Sequence, residues 1–119
     1  MALYKLEEAD LVSEGYLKQI SLGEKSVVLA CGASGPRAVE PYCPHAGGSM
    51  AAGKVIGDRL RCPMHGYMFD LRTGYCPRAS REGFQPLRTA EVKNLDGCLY
   101  LEVRDGADIF EAIHPAALK

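Results

Sequence analysis

Two short stretches constrain this chain more than anything else in it: Cys43-Pro44-His45 and Cys62-Pro63-Met64-His65. Each offers a thiol and an imidazole at close spacing. Each cysteine is followed by proline, and each histidine soon meets glycine, Gly47-Gly48 in the first stretch and Gly66 in the second. Proline fixes φ and removes a backbone donor, while glycine opens conformations closed to other residues. Both stretches therefore read as loops rather than helices. Such loops can wrap an inorganic centre and aim backbone N–H groups at it.

Two centres compete for a donor set in the order Cys, His, Cys, His. Zinc takes mixed sites, but zinc fingers usually pair cysteine with cysteine and then histidine with histidine. Here each loop offers one of each, which suits a two-iron cluster whose irons take the sulfurs and the nitrogens separately. At this point the sequence resembles the Rieske [2Fe–2S] family, whose pattern is Cys-x-His, a spacer, then Cys-x-x-His. The resemblance continues through Gly66, Phe69-Asp70 and Thr73-Gly74 and loosely covers most of the chain. It implies a Rieske-type [2Fe–2S] cluster with Cys43 and Cys62 on the inner iron and His45 and His65 on the outer one. Neutral imidazoles in place of two thiolates leave the oxidised cluster formally neutral, so reduction creates a single negative charge. Rieske centres accordingly lie at about −150 to +300 mV, against about −400 mV for plant-type ferredoxins. The second ring nitrogen of each histidine can face solvent or a docking partner.

A chain of 119 residues suits one domain, residues 1–119, around one hydrophobic core. The net charge of −1 gives no reason to expect a nucleic-acid partner. No apolar run approaches the roughly 20 residues of a membrane span. Met1 to Asp10 is acidic and lacks the apolar core of a signal peptide, so a cytoplasmic protein is expected, without a membrane partner. In a reducing compartment Cys31, Cys76 and Cys98 are expected to be unpaired thiols. Cys31 reads as a small buried hydrophobe.

Along the chain, Leu3–Leu6 reads as a first strand and 7–15 as a solvated loop or helical turn. Tyr16–Ile20 alternates weakly. Ser26–Cys31 is a compact apolar run, too short for a helix and bounded by Gly23 and Gly32, hence a buried strand. Gly32–Pro36 reads as a turn, and Arg37–Glu40 as a lead into the first loop. Lys54–Ile56 and Arg59–Arg61 form a hairpin that brings Cys62 back beside Cys43. Tyr67–Asp70 is a further strand, closed by a turn over Leu71–Gly74. A polar loop then runs to Pro86. Leu87–Lys93 and Cys98–Val103 form a hairpin over Asp96-Gly97. Asp105–Ile113 can make one short helix before Pro115. This pattern predicts an all-β fold, an antiparallel sandwich or small barrel. The resemblance implies the same base, with the cluster-binding subdomain inserted at about 41–86 and Pro77 on a third loop that covers the cluster.

The resemblance also narrows the type. Rieske proteins of the cytochrome bc kind carry a membrane anchor, a disulfide between the loops, and serine and tyrosine hydroxyls on the cluster. Gly48 and Met64 stand at the disulfide positions here, and Tyr67 and Phe69 at the hydroxyl positions. Fewer donors to sulfur imply a potential near the about −150 mV end of the range. The chain thus looks like the ferredoxin of a bacterial aromatic-ring dioxygenase system. It would be an electron carrier rather than an enzyme, taking electrons from an NAD(P)H-dependent flavin reductase and passing them to a terminal oxygenase. The rival is a small subunit or docking module of a larger redox enzyme such as nitrite reductase or arsenite oxidase. The terminal oxygenase itself is not expected, because after the four ligands only His114 remains for a mononuclear iron. An excess of Lys54, Arg59, Arg61, Arg72, Arg78, Arg81 and Arg88 over Asp58, Asp70 and Glu82 points to partners with an acidic surface. Ala46 and Met64 would supply apolar contact at the rim.

Overall fold

The computed structural model describes residues 2–6, 13–22, 25–43, 47–64, 66–95 and 97–103. Among the described residues the strands are β1 (Ala2–Leu6), β2 (Leu17–Leu22), β3 (Lys25–Gly32), β4 (Gly35–Val39), β5 (Lys54–Ile56), β6 (Arg59–Arg61), β7 (Met68–Asp70), β8 (Thr89–Leu95) and β9 (Cys98–Val103), with one short α-helix, α1 (Pro77–Arg81), and a single 3-10 turn at Met50–Ala52. Six strands form one antiparallel sheet in the order β1-β9-β8-β4-β3-β2, and β5-β6-β7 form a second. The all-β expectation holds, and the first strand pairs with the last described one, Ala2 opposite Val103.

β3 explains its own burial. Val28 and Ala30 face a core shared with the second sheet, while Val27 and Leu29 face a core inside the six-stranded sheet. Successive side chains of a strand point to opposite faces. A strand buried on both must therefore be apolar without a break, which is why the run has no alternation. Val27 through Ala30 are all 0% exposed.

The chain leaves the larger sheet after Val39 and re-enters at Thr89, and these two residues are opposite one another in the β4–β8 pair. Everything between them is an insert. Its strands have three residues each, too short to be stable alone. Leu60, Phe69 and Leu71 are fully buried at its centre, each contributing about 1.5–3 kcal/mol.

The neck of the insert is clasped by polar groups. Glu40 and Arg88 form an ion pair at 2.8 Å, and the Glu40 amide donates to the Arg88 carbonyl. Arg37 on β4 donates to the Leu71 and Arg72 carbonyls at 3.1 and 3.0 Å and to Thr89 Oγ1 at 3.2 Å. A second joint lies between the β3–β4 and β5–β6 turns. There the Ala33 amide donates to the Gly57 carbonyl, and the Ser34 amide donates to the Asp58 carboxylate at 2.7 Å.

The Ser34 hydroxyl also donates to Asp58, and these bonds hold the Asp58 carboxyl below its ordinary value. The unfolded reference is about 3.9, so the stabilisation is complete above it and is lost as pH falls through the lower folded value. The stability difference between the wild type and Ser34→Ala should be constant above about pH 4 and shrink below it. Denaturant unfolding at several pH values checks this.

Two parts of the sequence expectation need correction. Gly35–Val39 is a strand, not a turn and lead-in; pairing with β3 and β8 overrides the Gly-Pro signal. The stretch after Tyr75 is not all loop, because Pro77 opens α1 and the Cys76 sulfur accepts from the Ala79 amide at 3.5 Å. Proline suits the first helical position, where its missing N–H is not needed. The expected helix at Asp105–Ile113, His114, and most of the 7–15 loop lie outside the described residues.

Candidate metal centre

The two cysteine loops close in the same way. The Cys43 amide donates to the Gly48 carbonyl at 2.8 Å, and the Cys62 amide donates to the Tyr67 carbonyl at 2.7 Å. Each bond spans the same number of residues. One position before each acceptor is a glycine with positive φ, +72° at Gly47 and +70° at Gly66. That conformation favours glycine, which lacks the Cβ that crowds other residues there, and it turns the chain back sharply. A second bond, Gly47 amide to Cys43 carbonyl at 2.8 Å, tightens the first loop.

The structure brings Cys43 and Cys62 together, 2% and 0% exposed, within the core of the insert. Burial pushes the Cys62 thiol up to about 11, and the neighbouring Cys43 thiol adds to this. The Met64 amide acts in the opposite sense by donating to the Cys62 sulfur. A paired set of buried sulfurs, one already receiving a backbone N–H, suits a soft metal centre. A metal must displace the thiol protons to bind there. His45 and His65, with Pro44 and Ala46, lie outside the described residues. Among the described residues no larger group of His, Cys, Asp or Glu gathers, so the two sulfurs are half of the expected donor set.

The other cysteines go elsewhere. Cys31 is buried in β3, Cys76 caps α1 and Cys98 is half-exposed on β9; all three are free thiols.

Gly48 and Met64 face one another across the loops. A Cβ built on Gly48 lies 3.5 Å from the Met64 Cβ and 3.9 Å from the Cys62 sulfur. Disulfides span Cβ separations of about 3.5–4.5 Å. The double variant Gly48→Cys, Met64→Cys should therefore form a bridge under mild oxidation, seen as the loss of two titratable thiols. Closing a loop of that length should add about 3 kcal/mol against denaturant.

Sequence reasoning missed the small cluster around Tyr67. Its ring is 3% exposed, its hydroxyl donates to the Glu82 carboxylate, and the Arg78 guanidinium lies 4.3 Å from the ring centre. The partners sit on and just after α1, which was not foreseen. The Cys76-Pro77 pair was the available signal. Pro77 itself lines a groove together with Gly66 of the second loop.

Among the described residues, no helix is long and apolar enough to cross a membrane. A family model for the Rieske [2Fe-2S] domain matches residues 2–91. Cholesterol 7-desaturase nvd of Xenopus laevis is 35% identical over 104 residues, 82% of this chain and 23% of that protein. The oxygenase component of a chloroacetanilide N-alkylformylase from Rhizorhabdus wittichii is 35% identical over 68 residues, 57% of this chain and 20% of that protein. The chain thus spans less than a quarter of these curated relatives. Among solved structures, the complex of reduced oxygenase and oxidized ferredoxin in carbazole 1,9a-dioxygenase contains a similar chain. The TM-score is 0.68 at 27% identity, covering 82% of this chain and 90% of that one. The ferredoxin of carbazole 1,9a-dioxygenase from Nocardioides aromaticivorans IC177 shares the fold, with a TM-score of 0.67 at 19% identity over 84% of this chain and 96% of that one. A Rieske domain binds a Rieske-type [2Fe–2S] cluster, and the paired sulfurs fit that group. With the match running through both cysteine loops and into β8, the chain belongs to the Rieske [2Fe-2S] domain family.

Proposed function

We propose that this chain is one Rieske domain, residues 1–119 with the cluster-binding insert at about 41–86, acting as a one-electron carrier. Cys43 and Cys62 hold one iron and His45 and His65 the other. The observation that carries the reading is the pair of buried sulfurs on two identically closed loops. The likeness to a chain of a ferredoxin–oxygenase complex supports it. When bound, the cluster supplies reversible uptake of a single electron. The chain's own residues set the conditions. Leu60, Phe69 and Leu71 keep the sulfur side dry. The Met64 amide donates to the Cys62 sulfur. Phe69 has no hydroxyl, and the Tyr67 hydroxyl is committed to Glu82. With neither of these positions giving a hydroxyl to sulfur, the potential belongs near the lower limit of the Rieske range, at about −150 mV.

The finer reading is a cytoplasmic ferredoxin that takes electrons from an NAD(P)H-dependent flavin reductase and delivers them to a terminal ring-hydroxylating oxygenase. A second reading, the Rieske portion or small subunit of a larger redox enzyme, is favoured by the much longer curated relatives. An electron-transfer assay separates the two. The purified holoprotein should couple NADH oxidation by a ferredoxin reductase to turnover of an added ring-hydroxylating oxygenase. Failure with every such pair, alongside stable co-purification with a large redox enzyme, would favour the second. A redox titration placing the midpoint well above zero would reject the low-potential assignment.

A further inference from the structure

A groove of about 420 Å³ opens beside the second cysteine loop, lined by Arg59, Gly66, Met68, Tyr75, Arg78 and Arg81. The three arginines are exposed, and Tyr75 is 51% exposed. The nearby carboxylates are occupied internally. Asp58 accepts from Ser34, Asp70 from the Arg72 and Thr73 amides at 2.7 and 3.1 Å, and Glu82 from Tyr67. Arg59 and Arg81 have no carboxylate partner among the described residues. Arg78 lies beside them with its guanidinium stacked on the Tyr67 ring, 4.3 Å from the ring centre. The lining of the groove holds three arginines and no carboxylate, so it is positive on a chain whose net charge is −1.

We propose that this groove docks an acidic patch of a redox partner protein, with carboxylate side chains meeting Arg59 and Arg81 and with Tyr75 as the apolar anchor. Aromatic and arginine side chains dominate such contacts. Opposite charge speeds encounter without requiring a tight complex, as a shuttle needs. The proposal rests on the carrier reading above.

Two measurements on the holoprotein test it. The first is fluorescence anisotropy of a labelled peptide of alternating Glu and Ala. Binding at about 10 mM salt should weaken roughly tenfold at about 0.15 M, as the Debye length falls from about 30 to 8 Å. It should be lost in Arg59→Glu, Arg81→Glu and largely kept in Arg59→Lys, Arg81→Lys. The second is oxidation of the reduced protein by one-electron acceptors of opposite charge. Each ferricyanide takes one electron and becomes ferrocyanide; each hexaamminecobalt(III) takes one and becomes cobalt(II). Salt should slow the ferricyanide reaction and speed the cobalt one, and the glutamate variant should reverse both trends. Ferricyanide oxidation that accelerates with salt, as the net charge alone would give, overturns the proposal. So does peptide binding that survives in the glutamate variant, or displacement of the peptide by inorganic phosphate at equal ionic strength, which would mark a small-anion site. A colourless, EPR-silent protein would instead sink the carrier reading itself, whereas wrong salt trends on a coloured sample sink only the groove.

Discussion

Gly74→Ala should destabilise the protein severely and lower its urea midpoint far more than an alanine at an open glycine. Gly74 has φ +77°, and an added Cβ would lie 1.7 Å from the Leu87 carbonyl oxygen and 2.7 Å from its carbon. No side-chain rotation relieves a clash with backbone. The Leu87 segment would have to move, breaking the bond from its amide to the Gly74 carbonyl at 2.9 Å. Leu87 is 1% exposed in the core shared by insert and sheet. Left-handed strain of about 1–2 kcal/mol adds to the lost bond and the disturbed packing. A total of about 4 kcal/mol is a large part of the 5–15 kcal/mol typical of a domain. Gly83→Ala is the control. It has φ +85° and nothing within 4 Å of an added Cβ, so it should cost only the strain of about 1–2 kcal/mol. Urea unfolding of both variants measures the difference. Equal midpoints would mean that the junction yields easily.

Cys62→Ser should yield a colourless protein with iron at background. A serine hydroxyl is a poor soft-metal ligand, and the site would keep the Cys43 sulfur without its neighbour. The same exchange at Cys76 should keep colour and iron, because a serine there still accepts the Ala79 amide and is a better helix cap. Cys98→Ser, at a half-exposed strand position, should also keep both. Iron analysis and visible absorption of the three variants check the assignment. Full iron in Cys62→Ser would remove Cys62 from the site.

Much of this was legible because local chemistry and tertiary context agree. The Lys54–Ile56 and Arg59–Arg61 hairpin appears where the short alternation around Gly57-Asp58 places it. The apolar run of β3 declares burial on two faces. β4 was hidden because Gly35-Pro36 sends a turn signal, and only the distant residues of β8 provide the pairing that makes it a strand. α1 is a single turn and a half, too short for any periodicity to build up. At the site, the cysteines are visible from spacing alone. The Arg37 clasp and the Tyr67–Glu82–Arg78 group are not, since their partners lie far apart in the chain or on a helix that the sequence did not announce.

The most direct test is pulsed EPR of the dithionite-reduced holoprotein with histidine nitrogens labelled as nitrogen-15. The account predicts strong coupling of the unpaired electron to two distinct histidine nitrogens, with both signals lost or altered when His45 or His65 is replaced by alanine. A reduced cluster whose spectrum carries no histidine nitrogen coupling would contradict it.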